Sequence, residues 1–149
     1  MRILNERTWR GYGSLVRCSS VHEPCHGTLV AMSKILLVAD SASVRDRVHA
    51  ALSGADVTII DHTDPKTAAA TAYLERVDSV LVDMQVGSMG AMAVSRAVRS
   101  AAGNDPAIPV TVLLDRKADA FLAKRAGALN WVSKDQSPTE LRRAVGADL

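Results

Sequence analysis

The sequence has little cysteine and no long apolar run. Its two cysteines, Cys18 and Cys25, both precede residue 32, so the rest of the chain has no thiol with which to form a disulfide scaffold. No apolar stretch approaches the ~18 residues of a membrane-spanning helix, and the N-terminus lacks the uninterrupted apolar core of a secretory signal. We therefore expect a cytoplasmic protein that does not insert into membranes and is held together by packing.

The chain also has little excess charge of either sign. Its formal net charge at pH 7 is +2, and four arginines against two glutamates in the first 31 residues account for all of it. The rest is neutral and has no basic stripe, which is the electrostatic feature that a phosphate backbone requires. We therefore expect no direct nucleic-acid partner.

Residues 1–31 show no periodicity, and their apolar residues occur singly among glycines and a proline. We predict a disordered N-terminal extension, with Met32 as the true start and residues 32–149 as the folded domain. The extension holds four potential zinc ligands, whose irregular spacing we interpret as accidental. They are Cys18, His22, Cys25 and His26.

From Lys34 onward, short apolar runs alternate five times with helical patterns, which is typical of a parallel sheet covered on both faces. Right-handed crossovers would join these units into a doubly wound α/β fold, a three-layer α/β/α sandwich with a five-stranded parallel sheet. The predicted strands are Ile35–Val38, Val57–Ile60, Val80–Val82, Val110–Leu114 and Leu129–Val132.

Each predicted helix has one apolar stripe for the sheet. The second opens at Asp64-Pro65, and the fifth opens at Ser137-Pro138 with Glu140 in position to complete a capping box. Two histidines, His49 and His62, are predicted to be surface residues without partners. The predicted inward positions are Val44, Val48, Ala51 and Leu52, then Ala68, Ala69 and Ala72, then Val94, Val98 and Ala101, then Ala118, Phe121 and Leu122, and finally Leu141, Ala144 and Val145.

Three polar residues follow three of the strands: Asp40 after the first, Asp83 after the third and Lys134 after the fifth. In this architecture those strand ends share one crevice. Two converging carboxylates repel unless a divalent cation joins them, and the lysine offers a positive charge to an incoming phosphoryl group. The combination indicates an aspartyl-phosphate site with one carboxylate as nucleophile.

The segments 35–40, 79–84 and 126–134 resemble the receiver domains of response regulators in two-component signalling, and the resemblance extends over residues 34 to about 146. It implies a flavodoxin-like receiver fold with strand order 2-1-3-4-5. It also implies Asp83 as the phosphoacceptor and Lys134 as the phosphoryl-binding lysine. Mg²⁺ would be bound by Asp40, Asp83 and the backbone carbonyl of Gln85.

Four positions depart from the family pattern or leave their role open. Ala39 replaces an acidic residue, which predicts weak Mg²⁺ binding, and Leu114 replaces the serine or threonine that bonds the phosphoryl group. Asp115 stands where the family prefers a small residue, and it would either crowd the phosphoryl oxygens or partly replace the missing acid. Trp131 matches the family's switching aromatic, although we favour a packing role between sheet and helix.

The functional hypothesis is an atypical stand-alone response regulator, not an enzyme, that takes a phosphoryl group from a histidine kinase or phosphotransfer protein. The alternative is a degenerate receiver that binds its partner without phosphorylation. A nucleotide-binding α/β protein is less favoured because no glycine-rich phosphate loop occurs. Output would pass to a separate protein through the face of helix four, strand five and helix five, with a basic edge of Lys124, Arg125, Arg142 and Arg143.

Overall fold

Five parallel strands form one sheet in the order β2-β1-β3-β4-β5, which confirms the predicted topology. The structure is a computed structural model that describes residues 32–54 and 56–147. The extension 1–31, with its predicted disorder and its four zinc-ligand types, lies outside the described residues. The strands are β1 (Ser33–Val38), β2 (Val57–His62), β3 (Ser79–Asp83), β4 (Val110–Leu114) and β5 (Asn130–Ser133).

Five α-helices connect and follow the strands, as predicted. A short 3₁₀ turn at Lys117–Asp119 precedes the fourth helix. None of the helices in the described part of the chain has the length and apolarity that crossing a membrane requires. The helices are α1 (Ala42–Leu52), α2 (Ala68–Leu74), α3 (Ala91–Ala101), α4 (Ala120–Arg125) and α5 (Pro138–Ala144).

The sheet is buried on both faces. Successive residues of a strand point to opposite faces, so Leu36 and Val38 join one apolar cluster while Ile35 and Leu37 join the other. The first cluster includes side chains of α2, α3 and α4, and the second includes those of α1 and α5. This two-sided burial explains the nearly unbroken apolarity of the central strands.

The fifth helix begins as the sequence predicts. The hydroxyl of Ser137 accepts a hydrogen bond from the Glu140 backbone N–H, and the Glu140 carboxylate accepts one from the Ser137 N–H. This reciprocal capping box and Pro138 in the first turn hold α5 where Leu141 and Val145 are buried.

Helix α5 is also fastened to α1 by Arg142. Its Nε donates to the Ala51 carbonyl at 3.0 Å, and its Nη2 donates to the Ser53 carbonyl at 2.7 Å. The guanidinium therefore caps the C-terminal end of α1. The prediction that Arg142 contributes to the basic edge of the face of α4, β5 and α5 is therefore wrong.

The inward stripe predicted for α4 is also wrong. Phe121 is 66% exposed, and Ala118 and Leu122 are exposed as well, whereas Ala123 and Ala126 are buried. The 3₁₀ turn delays the start of this six-residue helix and sets its phase, so small alanines and not the large apolar residues face the sheet. A similar one-residue shift at the end of α3 buries Ala102 in place of Ala101.

Two further local predictions need correction. Helix α2 begins at Ala68 and not at Asp64, because the Asp64 carboxylate accepts a hydrogen bond from the Lys66 N–H at 3.0 Å and holds a turn there. Both histidines have partners: His49 Nε2 lies 3.0 Å from Asp61 Oδ1, and the ring of His62 contacts a threonine hydroxyl in the same turn.

Candidate functional site

Asp83 lies at the centre of the carboxyl edge of the sheet. It is the last residue of β3, which runs between β1 and β4, and it is only 3% exposed. Its Oδ1 accepts a hydrogen bond from the Gln85 backbone N–H at 3.1 Å. No described residue donates a hydrogen bond to its Oδ2, which leaves that oxygen open to a metal ion or a phosphorus atom.

Lys134 reaches Asp83 across the intervening strand β4. The N–H of Lys134 donates to the Leu114 carbonyl at 2.9 Å, which extends the β4–β5 pairing by one residue. From there its Nζ lies 2.6 Å from Asp83 Oδ1. The structure thus brings together the predicted phosphoacceptor and the predicted phosphoryl-binding lysine.

The same ammonium contacts a second carboxylate. Asp115 follows β4 directly, and its Oδ1 lies 2.8 Å from Lys134 Nζ. Partial burial lowers the pKa of Lys134, but the hydrogen bonds and charges of Asp115 and Asp83 outweigh it, so the pKa is raised above its ordinary value. Lys134 is therefore a fixed positive charge at neutral pH.

Asp40 forms the other side of the cleft, two residues after β1. Its Oδ2 accepts a hydrogen bond from the Gly87 N–H at 2.6 Å. Its backbone carbonyl and that of Ala39 both accept from Arg45 Nη1 at 2.9 Å, which fixes the loop. The sequence assigns neither Gly87 nor Arg45 a contact with the Asp40 loop, because both act on backbone geometry that no motif or period marks.

The cleft has a volume of about 350 Å³, and most of the side chains that line it carry oxygen atoms, which suit a hard cation. Mg²⁺ binds through one or two carboxylates and keeps several waters, which Asp40 and Asp83 can satisfy. The carbonyl oxygen of Gln85 accepts no hydrogen bond within the described residues, so it is available as a third metal ligand. The predicted set of Asp40, Asp83 and the Gln85 backbone therefore fits Mg²⁺.

Asp115 does not complete a three-carboxylate metal site. Across residues 32–54 and 56–147, no group of three or more His, Cys, Asp or Glu side chains is placed to hold a metal. Asp115 is occupied by Lys134, on the opposite side of Asp83 from the loop that carries Asp40. Of the two roles that the sequence leaves open, replacing the missing acid as a metal ligand is therefore the less favoured.

The structure also describes Leu114 and Trp131, the two positions at which the resemblance places switch residues. Leu114 is fully buried in β4 within the cluster that includes side chains of α2, α3 and α4, and it offers no hydroxyl to the cleft. Trp131 is 42% exposed and joins neither apolar cluster, so the prediction that it packs between sheet and helix is wrong. It lies on the edge strand β5, where no further strand covers it.

A doubly wound parallel sheet of order 2-1-3-4-5, with two aspartates and a lysine at its carboxyl edge, has the architecture of a receiver-type signalling domain. The family model of the response regulator receiver domain matches residues 35–146. The chain belongs to this family and is a receiver domain of two-component signalling.

Solved structures agree with this assignment. The chemotaxis response regulator CheY4 of Vibrio cholerae is 27% identical with a TM-score of 0.66, covering 79% of this chain and 99% of that one. The signal receiver domain of NarL from Mycobacterium tuberculosis is 26% identical with a TM-score of 0.64, over 76% and 92% of the chains. No curated protein matches the sequence.

A more distant structure shares the fold and contains a metal. The receiver domain of the sensor histidine kinase PA1611 from Pseudomonas aeruginosa has a magnesium ion coordinated in its active site cleft. It is 22% identical with a TM-score of 0.64, and the match covers 78% of this chain and 99% of that one.

Proposed function

We propose that the chain is a response regulator in which Asp83 accepts a phosphoryl group from a histidine kinase or phosphotransfer protein. The observation that carries the proposal is the 2.6 Å contact between Lys134 Nζ and the buried carboxylate of Asp83. A buried carboxylate held by a lysine, with its other oxygen open to the cleft, has the arrangement of an activated acceptor.

The chain's own groups would act as follows. A carboxylate oxygen of Asp83 forms a bond to phosphorus while the bond from phosphorus to the donor's histidine nitrogen breaks. Lys134 stays in place and balances the charge that accumulates on the phosphoryl oxygens. Asp40, Asp83 and the Gln85 carbonyl would hold Mg²⁺, which supplies further positive charge to those oxygens when bound. The magnesium in the PA1611 receiver supports this assignment.

We further propose that output passes to a separate protein through the face formed by α4, β5 and α5. Large apolar side chains are exposed there: Phe121 on α4 and Leu129 just before β5 are each 66% exposed, and Trp131 on β5 is 42% exposed. Lys124 and Arg143 are exposed on the same elements. Exposed aromatic and apolar residues rimmed by charge are typical of protein-binding surfaces.

Incubation of the full chain with Mg²⁺ and acetyl phosphate, followed by intact mass measurement, tests the acceptor role. We expect the mass of one added phosphoryl group in the wild type and in Asp135→Asn, which changes another acid lining the cleft. Asp83→Asn should gain none. Equal gain in Asp83→Asn would contradict the assignment, and no gain in any protein would favour phosphorylation-independent binding.

Amide hydrogen exchange on the same samples tests the output face. We expect phosphorylation to change exchange in the segments of α4 and β5, because the loop carrying Asp115 joins the cleft to α4. A change confined to α1 and β2 would contradict the proposed face.

A further inference from the structure

One ammonium group serves two carboxylates at the site. Lys134 Nζ lies 2.6 Å from Asp83 Oδ1 and 2.8 Å from Asp115 Oδ1, and the lysine side chain is only 11% exposed. Neither aspartate forms an ion pair with any other cation in the described ranges. The positive charge of Lys134 is thus already shared before any phosphoryl group arrives.

We propose that Asp115 regulates this site: it competes with the phosphoryl group for Lys134, and so favours a bound cation over a bound anion in the cleft. The inference rests on the proposed role of Asp83 as phosphoacceptor. It assigns Asp115 as a positioning residue that acts through Lys134 and through its own charge.

Charge balance explains the competition. When acetyl phosphate donates, its phosphorus–oxygen bond breaks, a bond from Asp83 to phosphorus forms, and acetate leaves. The singly charged carboxylate of Asp83 becomes an acyl phosphate with two negative charges. Lys134 must stabilise the added charge, but the carboxylate of Asp115 already contacts the same Nζ atom and neutralises part of its positive charge. Its carboxylate therefore destabilises the phosphorylated state.

The same carboxylate has the opposite effect on a metal ion. The cleft is lined by four carboxylates and two cations, and it therefore carries an excess of negative charge. The carboxylates are those of Asp40, Asp83, Asp115 and Asp135, and the cations are Lys134 and Arg47. A divalent cation is attracted by the partly buried carboxylate of Asp115 even though Asp115 does not coordinate it, whereas solvent screens the attraction of the exposed Asp135. Removing the charge of Asp115 should therefore weaken cation binding and strengthen phosphorylation. A merely structural defect would weaken both.

Asp115→Asn is the discriminating variant. Asparagine has nearly the same shape, and its amide oxygen can still accept a hydrogen bond from Lys134, so only the charge is lost. Asp135→Asn is the matched control. Asp135 lines the same cleft and is exposed, but it forms no ion pair in the part of the chain that the structure describes.

The experiment uses the full chain as wild type, Asp115→Asn and Asp135→Asn. Calorimetric titration with Mg²⁺ measures cation binding. At saturating Mg²⁺, intact mass measures the rate of loading from acetyl phosphate and the loss of the phosphoryl group after the donor is removed. We expect Asp115→Asn to bind Mg²⁺ about fivefold more weakly, and to load and retain the phosphoryl group about fivefold better. Asp135→Asn should stay close to the wild type.

The possible outcomes separate this inference from the proposed function. Phosphorylation of Asp115→Asn alone supports both. A phosphorylated wild type whose loading, retention and Mg²⁺ affinity are unchanged in Asp115→Asn overturns the inference and leaves the acceptor role intact. A loss of both Mg²⁺ binding and phosphorylation in Asp115→Asn also overturns it. If neither protein accepts a phosphoryl group, the proposed function fails and the inference fails with it.

Discussion

The backbone N–H of Gly87 donates a hydrogen bond to Oδ2 of Asp40 over 2.6 Å, which ties the loop after β3 to the loop after β1. A Cβ atom built on Gly87 would lie 2.9 Å from that same oxygen. A larger residue at this position would force the Asp40 carboxylate to move, because the backbone itself approaches that carboxylate closely.

Gly87→Ala should therefore push the Asp40 carboxylate out of place. We expect Mg²⁺ affinity to fall several-fold in calorimetric titration. Gly87 is exposed and lies outside the left-handed backbone region, so the free energy of unfolding should change by less than about 0.5 kcal/mol. Unchanged Mg²⁺ affinity in this variant would show that the Asp40 carboxylate is not a metal ligand.

Ala39→Asp should tighten Mg²⁺ binding while lowering stability in its absence. Ala39 is fully buried in the cluster shared with α1, so a new carboxylate there loses hydration and gains a cation only when metal is bound. We expect a loss of about 1–3 kcal/mol in urea unfolding without metal, partly recovered with Mg²⁺. Equal destabilisation with and without Mg²⁺ would contradict the prediction.

Arg142→Ala should destabilise the fold by about 2 kcal/mol, because it leaves the Ala51 and Ser53 carbonyls without their charged donor. Arg143→Ala is the matched control, since this neighbouring arginine is exposed. Its effect should stay below about 0.5 kcal/mol. Urea unfolding of both variants measures the difference, and similar losses would show that the fastening contributes little.

The contribution of Lys134 to the free energy of unfolding should be lost at strongly alkaline pH. Because its pKa is raised in the folded protein, its contribution is complete below the ordinary value of 10.5 and is lost as the pH rises through the raised value. We expect the difference in unfolding free energy between wild type and Lys134→Gln to stay constant from neutral pH upward and to shrink above 10.5. A difference that grows with alkalinity would contradict the assigned ion pairs.

Deletion of residues 1–31 should leave cooperative unfolding intact. All five strands of the sheet lie between Ser33 and Ser133, so the deletion removes none of them. Urea unfolding of residues 32–149 and of the full chain measures the effect. A loss of more than about 2 kcal/mol, which is typical of a removed packing contribution, would show that the extension docks on the domain.

The sequence predicts the fold well where burial is two-sided or capping is local. All five strands lie within two residues of the predicted ends, since a strand buried on both faces must be apolar throughout. The start of α5 follows from four consecutive residues. Helix α4 is less predictable, because a six-residue helix covers under two turns and its phase depends on the 3₁₀ turn before it.

The site divides in the same way. Asp40, Asp83 and Lys134 stand at strand ends, so the parallel topology alone brings them to one edge. The contact of Asp115 with Lys134 depends on the direction in which the chain leaves β4, and no periodicity in the sequence predicts that direction. The hydrogen bond from Gly87 involves a backbone group, which every residue type except proline possesses.

The attachment of α5 to α1 has a consequence for biosynthesis. Arg142 donates hydrogen bonds to carbonyls that lie 91 and 89 residues earlier in the chain. Leu141 and Val145 belong to the same apolar cluster as the buried side chains of α1. A nascent chain that has not yet extruded α5 exposes part of that cluster to solvent. We therefore expect the domain to complete its folding only once α5 has emerged from the ribosome, and a chain stalled before Pro138 to be exposed to chaperones and proteases.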